Sequence, residues 1–286
     1  MKKIAAIVLN YNTAEDTIKC TNYLMAQQNV DLSVVVVDNN STDDSVMQLK
    51  EKLDSNVTLI KNETNSGYSA GNNIGLKKAI EDQCEYALII NPDVEIVDKN
   101  ALNKAIEILD KNERIGVLGV DIVDVKSDHQ NPLRELKFWE DFLWPLATIK
   151  NRKTDHNRYL DDYMSSHSCD KVSGCCFFVR LKTMKEIDYL DENVFLYCEE
   201  PILTSRVKRK GYLVYYSNQI QVKHNHVEES KGDVVRRTNQ FLTSRYYYLK
   251  NYKYRGIKKL LVCLSCKLEK RVIVSSKKRK KKGNSK

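Results

Sequence analysis

Long apolar runs are missing from this chain of 286 residues. A helix needs about 18 or more consecutive apolar residues to cross a bilayer, so we expect no spanning helix. The opening apolar run, residues 4–9, follows two lysines, but it is short and meets the polar Asn10 without the small-residue pattern of a cleavage site. It is predicted to be a buried first strand rather than a signal peptide.

Glycine-rich phosphate loops are also missing. A nicotinamide dehydrogenase carries Gly-x-Gly-x-x-Gly after its first strand, and a P-loop kinase carries Gly-x-x-x-x-Gly-Lys. Here residues 10–13 (Asn-Tyr-Asn-Thr) follow the first predicted strand without a glycine, and the kinase motif does not occur. The glycine-rich basic opening of sugar-phosphate nucleotidyltransferases is absent as well. These absences argue against three classes of α/β enzyme.

The eight cysteines show no pattern of pairing. Cys263 and Cys266 have the Cys-x-x-Cys spacing of zinc ligands, but a structural zinc site needs four ligands and no second pair has a matching spacing. The cysteines are scattered, and several lie in apolar stretches. We therefore predict that most are buried free thiols of a reducing compartment.

The chain does contain alternating strand-like and helix-like segments. The predicted strands are residues 4–9, 33–37, 57–60, 86–90, 175–179, 212–216 and 220–222. The predicted helices are residues 14–28, 43–53, 70–80, 100–109, 181–187, 199–210 and 232–259. This order predicts an α/β fold with a mostly parallel sheet between helices, and such sheets bind ligands at the carboxyl ends of their strands. The irregular residues 127–170, which hold both tryptophans, are either a packed excursion or an acceptor-binding region.

Positive charge is concentrated at one end. The net charge is +9, yet residues 245–286 hold sixteen Lys or Arg and a single acid, Glu269, which leaves the rest of the chain net negative. Such asymmetry indicates a tail that meets an anionic surface, or one that only aids solubility. The basic run of residues 277–282 is predicted to lack regular structure.

Polar residues follow the predicted strands. Residues 10–12 (Asn-Tyr-Asn) follow the first strand, and residues 38–43 (Asp-Asn-Asn-Ser-Thr-Asp) follow the second. Asp38 at the strand end can accept a hydrogen bond from a base or a ribose, although the same residue types also cap helices. The glycines of residues 65–73 let a backbone approach a ligand and lead into a helix N-terminus that favours anions, but an ordinary polar first turn has a similar sequence.

Three further sites carry acids or histidine. Asp93 in Asn91-Pro92-Asp93 follows an apolar strand, where it can hold Mg²⁺ or Mn²⁺ with phosphates, or sit in a type I turn. Glu199 and Glu200 open a predicted helix, either as a base or as an ordinary acidic start. His224 ends a late strand, either as a metal ligand or as a polar strand end.

Together and in this order, the motifs resemble family 2 glycosyltransferases, especially their rhamnosyltransferase-like branch, over about residues 4–230. The matching segments are residues 8–12, 37–43, 65–73, 91–93, 174–176 and 190–200, with His224 after them. The resemblance implies a GT-A fold, a Rossmann-like α/β domain with a mixed, mostly parallel sheet flanked by helices. Residues 1–125 would form its nucleotide-sugar-binding half and residues 126–230 its acceptor and catalytic half. Residues 231–286 would form a helical extension with a basic tail.

The resemblance also implies roles for single residues. Asp38 would contact the nucleotide base, and the donor contacts as a set would be Asn10, Tyr11, Asn12, Asp38, Asn40, Asn65, Gly67, Asn72, Asn73 and Asn91. Asp93 matches the acid of a DXD-type motif that is here reduced to Asn-Pro-Asp, and His224 would complete the Mg²⁺ or Mn²⁺ site. Glu200 matches the catalytic base by position, with Glu199 as the alternative.

The expected activity is inverting, metal-dependent transfer of a sugar from a nucleotide-diphosphate donor to a carbohydrate hydroxyl. The branch implies dTDP-rhamnose or a UDP-hexose as donor and a lipid-linked cell-surface polysaccharide precursor as acceptor. We expect the tail from Arg245, with five interleaved tyrosines and the apolar residues 260–264, to bind the cytoplasmic face of the plasma membrane and no nucleic acid. The alternative is a basic-tailed nucleotide-sugar or membrane-binding protein without transferase activity.

Overall fold

A computed structural model describes residues 2–144, 160–225 and 234–283, and for residue 234 and residues 272–283 it describes the backbone alone. The strands are β1 Lys3–Asn10, β2 Asp31–Asp38, β3 Val57–Lys61, β4 Tyr86–Ile90, β5 Val94–Glu95, β6 Ile115–Asp124, β7 His167–Ser168, β8 Cys176–Arg180 and β9 Leu213–His224. The helices are α1 Ala14–Met25, α2 Ser45–Lys52, α3 Tyr68–Glu81, α4 Ala101–Lys111, α5 Phe138–Phe142, α6 Leu181–Glu186, α7 Glu199–Arg209, α8 Val234–Tyr248, a π-helix Leu249–Lys253, and α9 Gly256–Gly283.

The described strands form one nine-stranded sheet in the order β3-β2-β1-β4-β8-β6-β9-β5, with β7 paired to β9. Strands β1 to β4 pair in parallel, as predicted, and β6 pairs in parallel with β9. Strand β8 is antiparallel to both β4 and β6, so the predicted mixed sheet is confirmed. Because Ile90 at the end of β4 pairs with Cys176 at the start of β8, the segment before β8 lies at the carboxyl edge of the parallel strands.

Two strands differ from the sequence prediction. Strand β6 is not among the predicted strands, although all but its last two residues are buried. Strand β9 is a single strand of twelve residues, where two short strands were predicted. Its pairing with β6 shifts register between Val120 and Asp121, whose partners in β9 are Ser217 and Gln221. That irregularity interrupts the alternation of apolar residues and made one strand resemble two.

The core lies on both faces of the sheet. In β1, Ile4, Ala6 and Val8 join one buried cluster, and Ala5 and Ile7 join the other. Helices cover both faces, so every side chain of the strand meets apolar neighbours. This explains why the first strand is a continuous apolar run rather than an alternating one. All eight cysteines are free, and six of them are buried, in agreement with the sequence prediction.

The C-terminal extension packs onto the domain through a third core cluster. Val194 and Ile202 from the domain meet Leu249, Val262 and Cys266 from the extension. The contact also carries buried charge: Arg245 donates to Asp141 at 3.3 Å and to Glu269 at 2.9 Å, and Lys253 donates to Asp141 at 2.7 Å. Two acids and two bases therefore balance one another away from water, which a stable buried ion network requires.

These contacts show that part of the tail predicted to bind a membrane is buried against the domain. Arg245 is only 4% exposed. Tyr248 donates to Glu135, and Tyr247 and Tyr252 donate to Asp191, because acids of the domain need donors where the extension covers them. The predicted irregular basic run is also helical, since α9 continues to Gly283. In the described parts of the chain, no helix has both the length and the apolar character needed to cross a membrane.

Candidate active site

The loops after β1 and β2 are joined by hydrogen bonds between buried polar side chains. Asn10 and Asp38 are register partners at the strand ends, and Asn10 Nδ2 donates to Asp38 Oδ1 at 2.7 Å. Asp38 also accepts from the backbone N–H and the hydroxyl of Ser41. Asn10 Oδ1 in turn accepts from Thr13 and Thr17. Both residues are fully buried, so the structure gives Asn10 the role of holding Asp38.

The backbone conformation explains why two neighbouring positions in these loops are asparagine. Asn12 and Asn40 have positive φ, 58° and 61°, a left-handed conformation that asparagine tolerates better than most residues. Asn12 exchanges hydrogen bonds with Thr42, which ties the two loops together. Tyr11 is 43% exposed at the rim, where a ring can stack on a planar ligand. Of the predicted donor contacts in these loops, Tyr11, Asn12 and Asn40 are the ones open to solvent.

A second group of predicted donor contacts holds the N-terminus of α3. Asn65 Oδ1 accepts from the backbone N–H of Gly67 and from the Asn39 amide. Gly67 has φ of 96°, and a Cβ there would lie 2.2 Å from the carbonyl oxygen of Phe195. Only glycine fits this close approach between the start of α3 and residues 190–197.

Asn72 and Asn73 lie inside α3 and are buried. The Asn73 amide donates to the Leu190 carbonyl at 2.9 Å and to Glu192 at 2.8 Å, and its oxygen accepts from the Leu190 N–H. Asn72 Nδ2 donates to the Tyr68 carbonyl one turn earlier. Both are predicted donor contacts, and the polar atoms of Asn73 lie against residues 190–192. This side chain positions the segment that leads to Glu199 and Glu200.

Asp93 and His224 are brought together by the short pairing of β5 with β9. Val94 is the register partner of His224, and the Asn225 N–H donates to the Asp93 carbonyl. His224 Nε2 lies 3.3 Å from Asp93 Oδ2, and Nδ1 lies 2.9 Å from the Gln130 oxygen. Burial lowers the pKa of His224, but hydrogen bonds with Asp93 and Cys175 outweigh it and raise the pKa to about 10. The two residues predicted for the metal are therefore adjacent.

The donor set at this point fits a hard divalent cation. A carboxylate oxygen and an imidazole nitrogen are both accepted by Mn²⁺, and Mg²⁺ takes carboxylates while keeping several water or phosphate ligands. The described residues contain no cluster of three or more His, Cys, Asp or Glu suited to a metal. Asp93 and His224 would thus hold an ion whose remaining ligands come from a bound diphosphate and water.

Glu199 and Glu200 form the first turn of α7, and Gly174 fixes the second of them. The Gly174 N–H donates to Glu200 Oε1 at 3.1 Å. A Cβ at residue 174 would lie 2.7 Å from that oxygen, so the absence of a side chain there lets the carboxylate rest on the backbone. The next residue, Cys175, accepts from the Asn91 N–H at 2.7 Å. Residues 174–175 therefore link Glu200 to the Asn91-Pro92-Asp93 turn.

The two glutamates have different surroundings. Glu199 is 9% exposed, and its Oε1 has no hydrogen-bond partner among the described residues. Burial, with a smaller effect of the neighbouring Glu200 charge, raises the pKa of Glu199 to about 8. Glu199 is thus largely protonated at neutral pH, while Glu200 accepts a backbone N–H. Adjacent carboxyl groups in unequal environments are a common arrangement where one of them acts on a proton.

An open cleft of about 390 Å³ lies beside these groups. Its lining includes Tyr68, Asn91, Gly174, Cys175, Glu199 and Glu200. Tyr68 was not among the predicted site residues; its hydroxyl, on a half-buried side chain, donates to the Gly174 carbonyl at 2.6 Å across 106 residues of sequence. The sequence analysis also missed the backbone before α7, where Tyr197 and Cys198 both have positive φ, 74° and 66°. Consecutive left-handed residues of this kind are strained, and such strain clusters at functional sites.

The family model of glycosyl transferase family 2 matches residues 5–186, more than half of the chain. The chain belongs to this family. The matched residues contain Asn10, Asp38, Asp93 and Gly174, whereas Glu199, Glu200 and His224 lie beyond them. In this glycosyltransferase, the hydrogen bond from the Gly174 N–H to Glu200 therefore links the residues that the family model matches to helix α7.

Relatives of this glycosyltransferase are hexosyltransferases. It is 23% identical to the low-salt glycan biosynthesis hexosyltransferase Agl10 of Haloferax volcanii, over 78% of this chain and 67% of the relative. It is also 23% identical to the N-acetylglucosaminyl-diphospho-decaprenol L-rhamnosyltransferase of Mycobacterium tuberculosis, over 76% of this chain and 74% of the relative. One of these relatives is named as a hexosyltransferase and the other as an L-rhamnosyltransferase.

Two solved structures share the fold of this glycosyltransferase. The mannosyltransferase PcManGT of Pyrobaculum calidifontis, solved with GDP-Man and Mn²⁺, has a TM-score of 0.59 at 13% identity over 96% of this chain and 71% of its own. Residues 1–349 of S. aureus TarS, solved with UDP-GlcNAc, have a TM-score of 0.56 at 19% identity over 91% of this chain and 70% of their own. The predicted GT-A fold is thereby confirmed.

Proposed function

We propose that this protein is an inverting, metal-dependent transferase that moves a sugar from a nucleotide-diphosphate donor to a carbohydrate hydroxyl. One observation carries the proposal: residues 174–175 connect a carboxylate at a helix N-terminus, Glu200, with the turn that holds Asp93 beside His224. A proton acceptor and a pair of metal ligands on either side of a short backbone segment are the groups that such a transfer needs.

Glu200 acts as the base. The acceptor oxygen attacks the anomeric carbon from the side opposite the diphosphate, and its proton passes to the Glu200 carboxylate as the new bond forms. The Gly174 N–H holds the Glu200 carboxylate in place at the N-terminus of α7, while burial raises the pKa of the neighbouring Glu199. A single attack of this geometry inverts the configuration of the sugar.

Asp93 and His224 hold the leaving-group side. Asp93 would supply an oxygen and His224, in its neutral form, a nitrogen to a bound Mg²⁺ or Mn²⁺. Such an ion would supply the positive charge that offsets the charge developing on the departing diphosphate. The relative solved with GDP-Man and Mn²⁺ supports the choice of ion.

The donor is dTDP-rhamnose or a UDP-hexose. The Mycobacterium relative is named as an L-rhamnosyltransferase, and TarS was solved with UDP-GlcNAc. The acceptor is a lipid-linked precursor of a cell-surface glycan, because the same Mycobacterium name includes a diphospho-decaprenol. The exposed Tyr11 and Asn12 and the half-buried Asn40, at the ends of β1 and β2, are the residues that would meet the nucleotide.

A donor screen tests the proposal. Purified protein is supplied with each nucleotide sugar, and release of the nucleoside diphosphate is measured with Mn²⁺ and with EDTA. Turnover with a dTDP or UDP donor that needs the metal is expected. Asp93→Asn should remove this turnover, while Glu95→Gln, in the same short strand β5, should keep it. Full wild-type activity in EDTA would contradict the metal, and no release from any donor would favour a binding protein without transferase activity.

A further inference from the structure

Helix α9 carries an apolar stripe that the rest of the described chain leaves exposed. Ile257, Leu260, Leu261, Leu264 and Leu268 are between 37% and 78% exposed. Their spacing of three, one, three and four residues places them within an arc of about 100° on the helix. Five large apolar side chains on one solvent-facing arc are more than the single exposed residues that are normal on a protein surface.

The opposite face of α9 explains why the stripe points outward. Val262, Cys266 and Glu269 are buried, and they lie roughly 120–180° around the helix from the middle of the stripe. Glu269 is held there by Arg245 at 2.9 Å, and Val262 and Cys266 belong to the third core cluster. The packed face thus fixes the rotation of the helix and leaves the stripe in solvent.

Basic side chains border the stripe. Lys258 lies on one side, and Lys267 and Arg271 lie on the other, all three exposed. The helix holds a single acid, Glu269, which is buried and paired. The outer face of α9 over residues 256–271 therefore combines apolar side chains with positive charge and presents no negative charge.

We propose that this outer face docks on the surface of an anionic lipid bilayer, with the apolar stripe entering the boundary between headgroups and acyl chains. An amphipathic helix with cations beside its apolar face has the composition of an interfacial helix, and each cation near an anionic leaflet strengthens the attraction. A second copy of the chain fits less well, because two such faces would bring like charges together. The inference is independent of the transferase reaction, since binding to lipid needs neither donor nor acceptor.

Vesicle co-sedimentation of the full chain tests this docking. The wild type should sediment with phosphatidylglycerol–phosphatidylcholine vesicles at low salt, and much less with pure phosphatidylcholine. Leu260→Gln/Leu264→Gln/Leu268→Gln should lower the partition coefficient by about tenfold or more, because three leucines no longer enter the bilayer. These side chains are 51–62% exposed, so the variant should keep the wild-type circular dichroism and melting temperature.

A matched control removes apolar surface elsewhere. Met47→Gln/Val97→Gln/Val125→Gln replaces three side chains that are 56–69% exposed on other parts of the domain, and it should bind vesicles as the wild type does. Lys258→Gln/Lys267→Gln/Arg271→Gln should weaken binding to anionic vesicles and reduce its dependence on salt. Unchanged partition of the leucine variant would overturn the proposal. So would a wild-type dimer that the leucine variant converts to a monomer, because the stripe would then be an interface between copies.

Discussion

The loops after β1 and β2 and the segment around Gly174 lie at the same edge of the sheet but use their polar side chains in different ways. In the loops, Asn10 and Asp38 are buried and bonded to each other and to neighbouring hydroxyls. Around Gly174, Glu199 keeps an oxygen without a hydrogen bond among the described residues, and Glu200 takes one backbone N–H at the cleft. In the first region the polar side chains form hydrogen bonds with one another, whereas in the second they keep hydrogen-bonding capacity for a substrate.

This difference separates two reasons for a motif. Residues such as Asn10, Asn65 and Asn73 are needed so that loops hold their shape, and their loss should appear mainly as lost stability. Residues such as Glu200 are needed at the moment of reaction, and their loss should appear mainly as lost turnover. Variants in each region test whether the two regions differ in this way.

The largest expected effect is on Glu200. Glu200→Gln should lower kcat by about 10²–10⁴-fold and leave donor affinity unchanged, because a base acts in the transition state and not in donor binding. Transfer rates and calorimetric titration of the donor measure the two quantities. An active Glu200→Gln protein beside an inactive Glu199→Gln protein would show that the roles of the two carboxylates are reversed.

A methyl group at Gly174 should act on the same step indirectly. The Cβ would lie 2.7 Å from Glu200 Oε1, so Gly174→Ala must move the carboxylate. We expect kcat to fall by about 10–10²-fold, since small misplacements of reacting groups have effects of that size. In a double-mutant cycle with Glu200→Gln, the second change should add almost no loss. Additive losses would mean that Gly174 acts through something other than Glu200.

In the loops after β1 and β2, Asn10→Ala should mainly destabilise the fold. It removes one of the donors to buried Asp38 and the acceptor of the buried Thr17 hydroxyl, which typically costs about 1–3 kcal/mol of unfolding free energy. Urea unfolding measures this loss, and Asn103→Ala on the surface of α4 serves as the control with a change within about 0.5 kcal/mol. A large fall in kcat with unchanged stability would show that Asn10 takes part in the reaction. The two regions would then not differ in the way proposed.

The smallest effect concerns pH. The folded pKa of Glu199 is raised from 4.5 to about 8, so between these values the folded protein holds a proton that the unfolded chain has released. This group therefore makes stability fall as pH rises through that window. Glu199→Gln removes the titration and should be more stable than the wild type at pH above about 8, by on the order of 1 kcal/mol or more. Equal pH dependence of the urea midpoints would show that Glu199 is ionised throughout.

The sequence predicted those parts of the site that follow from the order of strands and helices along the chain. Asn10, Asp38 and Asn91 end parallel neighbouring strands, so their proximity follows from the βα alternation alone. Contacts between distant segments could not be predicted in this way. The Tyr68 hydroxyl meets Gly174 and the Asn73 amide meets Leu190 across more than 100 residues, and neither spacing leaves a local pattern. In the sequence, Arg245 is one more cation of a basic tail, and only the structure shows that it pairs with the buried acids Asp141 and Glu269.

The charges around Arg245 also decide how the extension tolerates change. If apolar contacts alone held α9, the helix could shift along its axis by one turn and still bury apolar side chains. The ion pair between Arg245 and Glu269 allows only one position of the helix. A shortened chain ending at Ser244 would strip Asp141 of Arg245, Lys253 and Tyr254 together. The domain would then expose apolar side chains such as Val194 and Ile202, and aggregation of the shortened protein would be easily mistaken for a loss of catalytic or membrane function. In this glycosyltransferase the tail folds together with the domain, so its functions are best tested by substituting side chains and not by truncation.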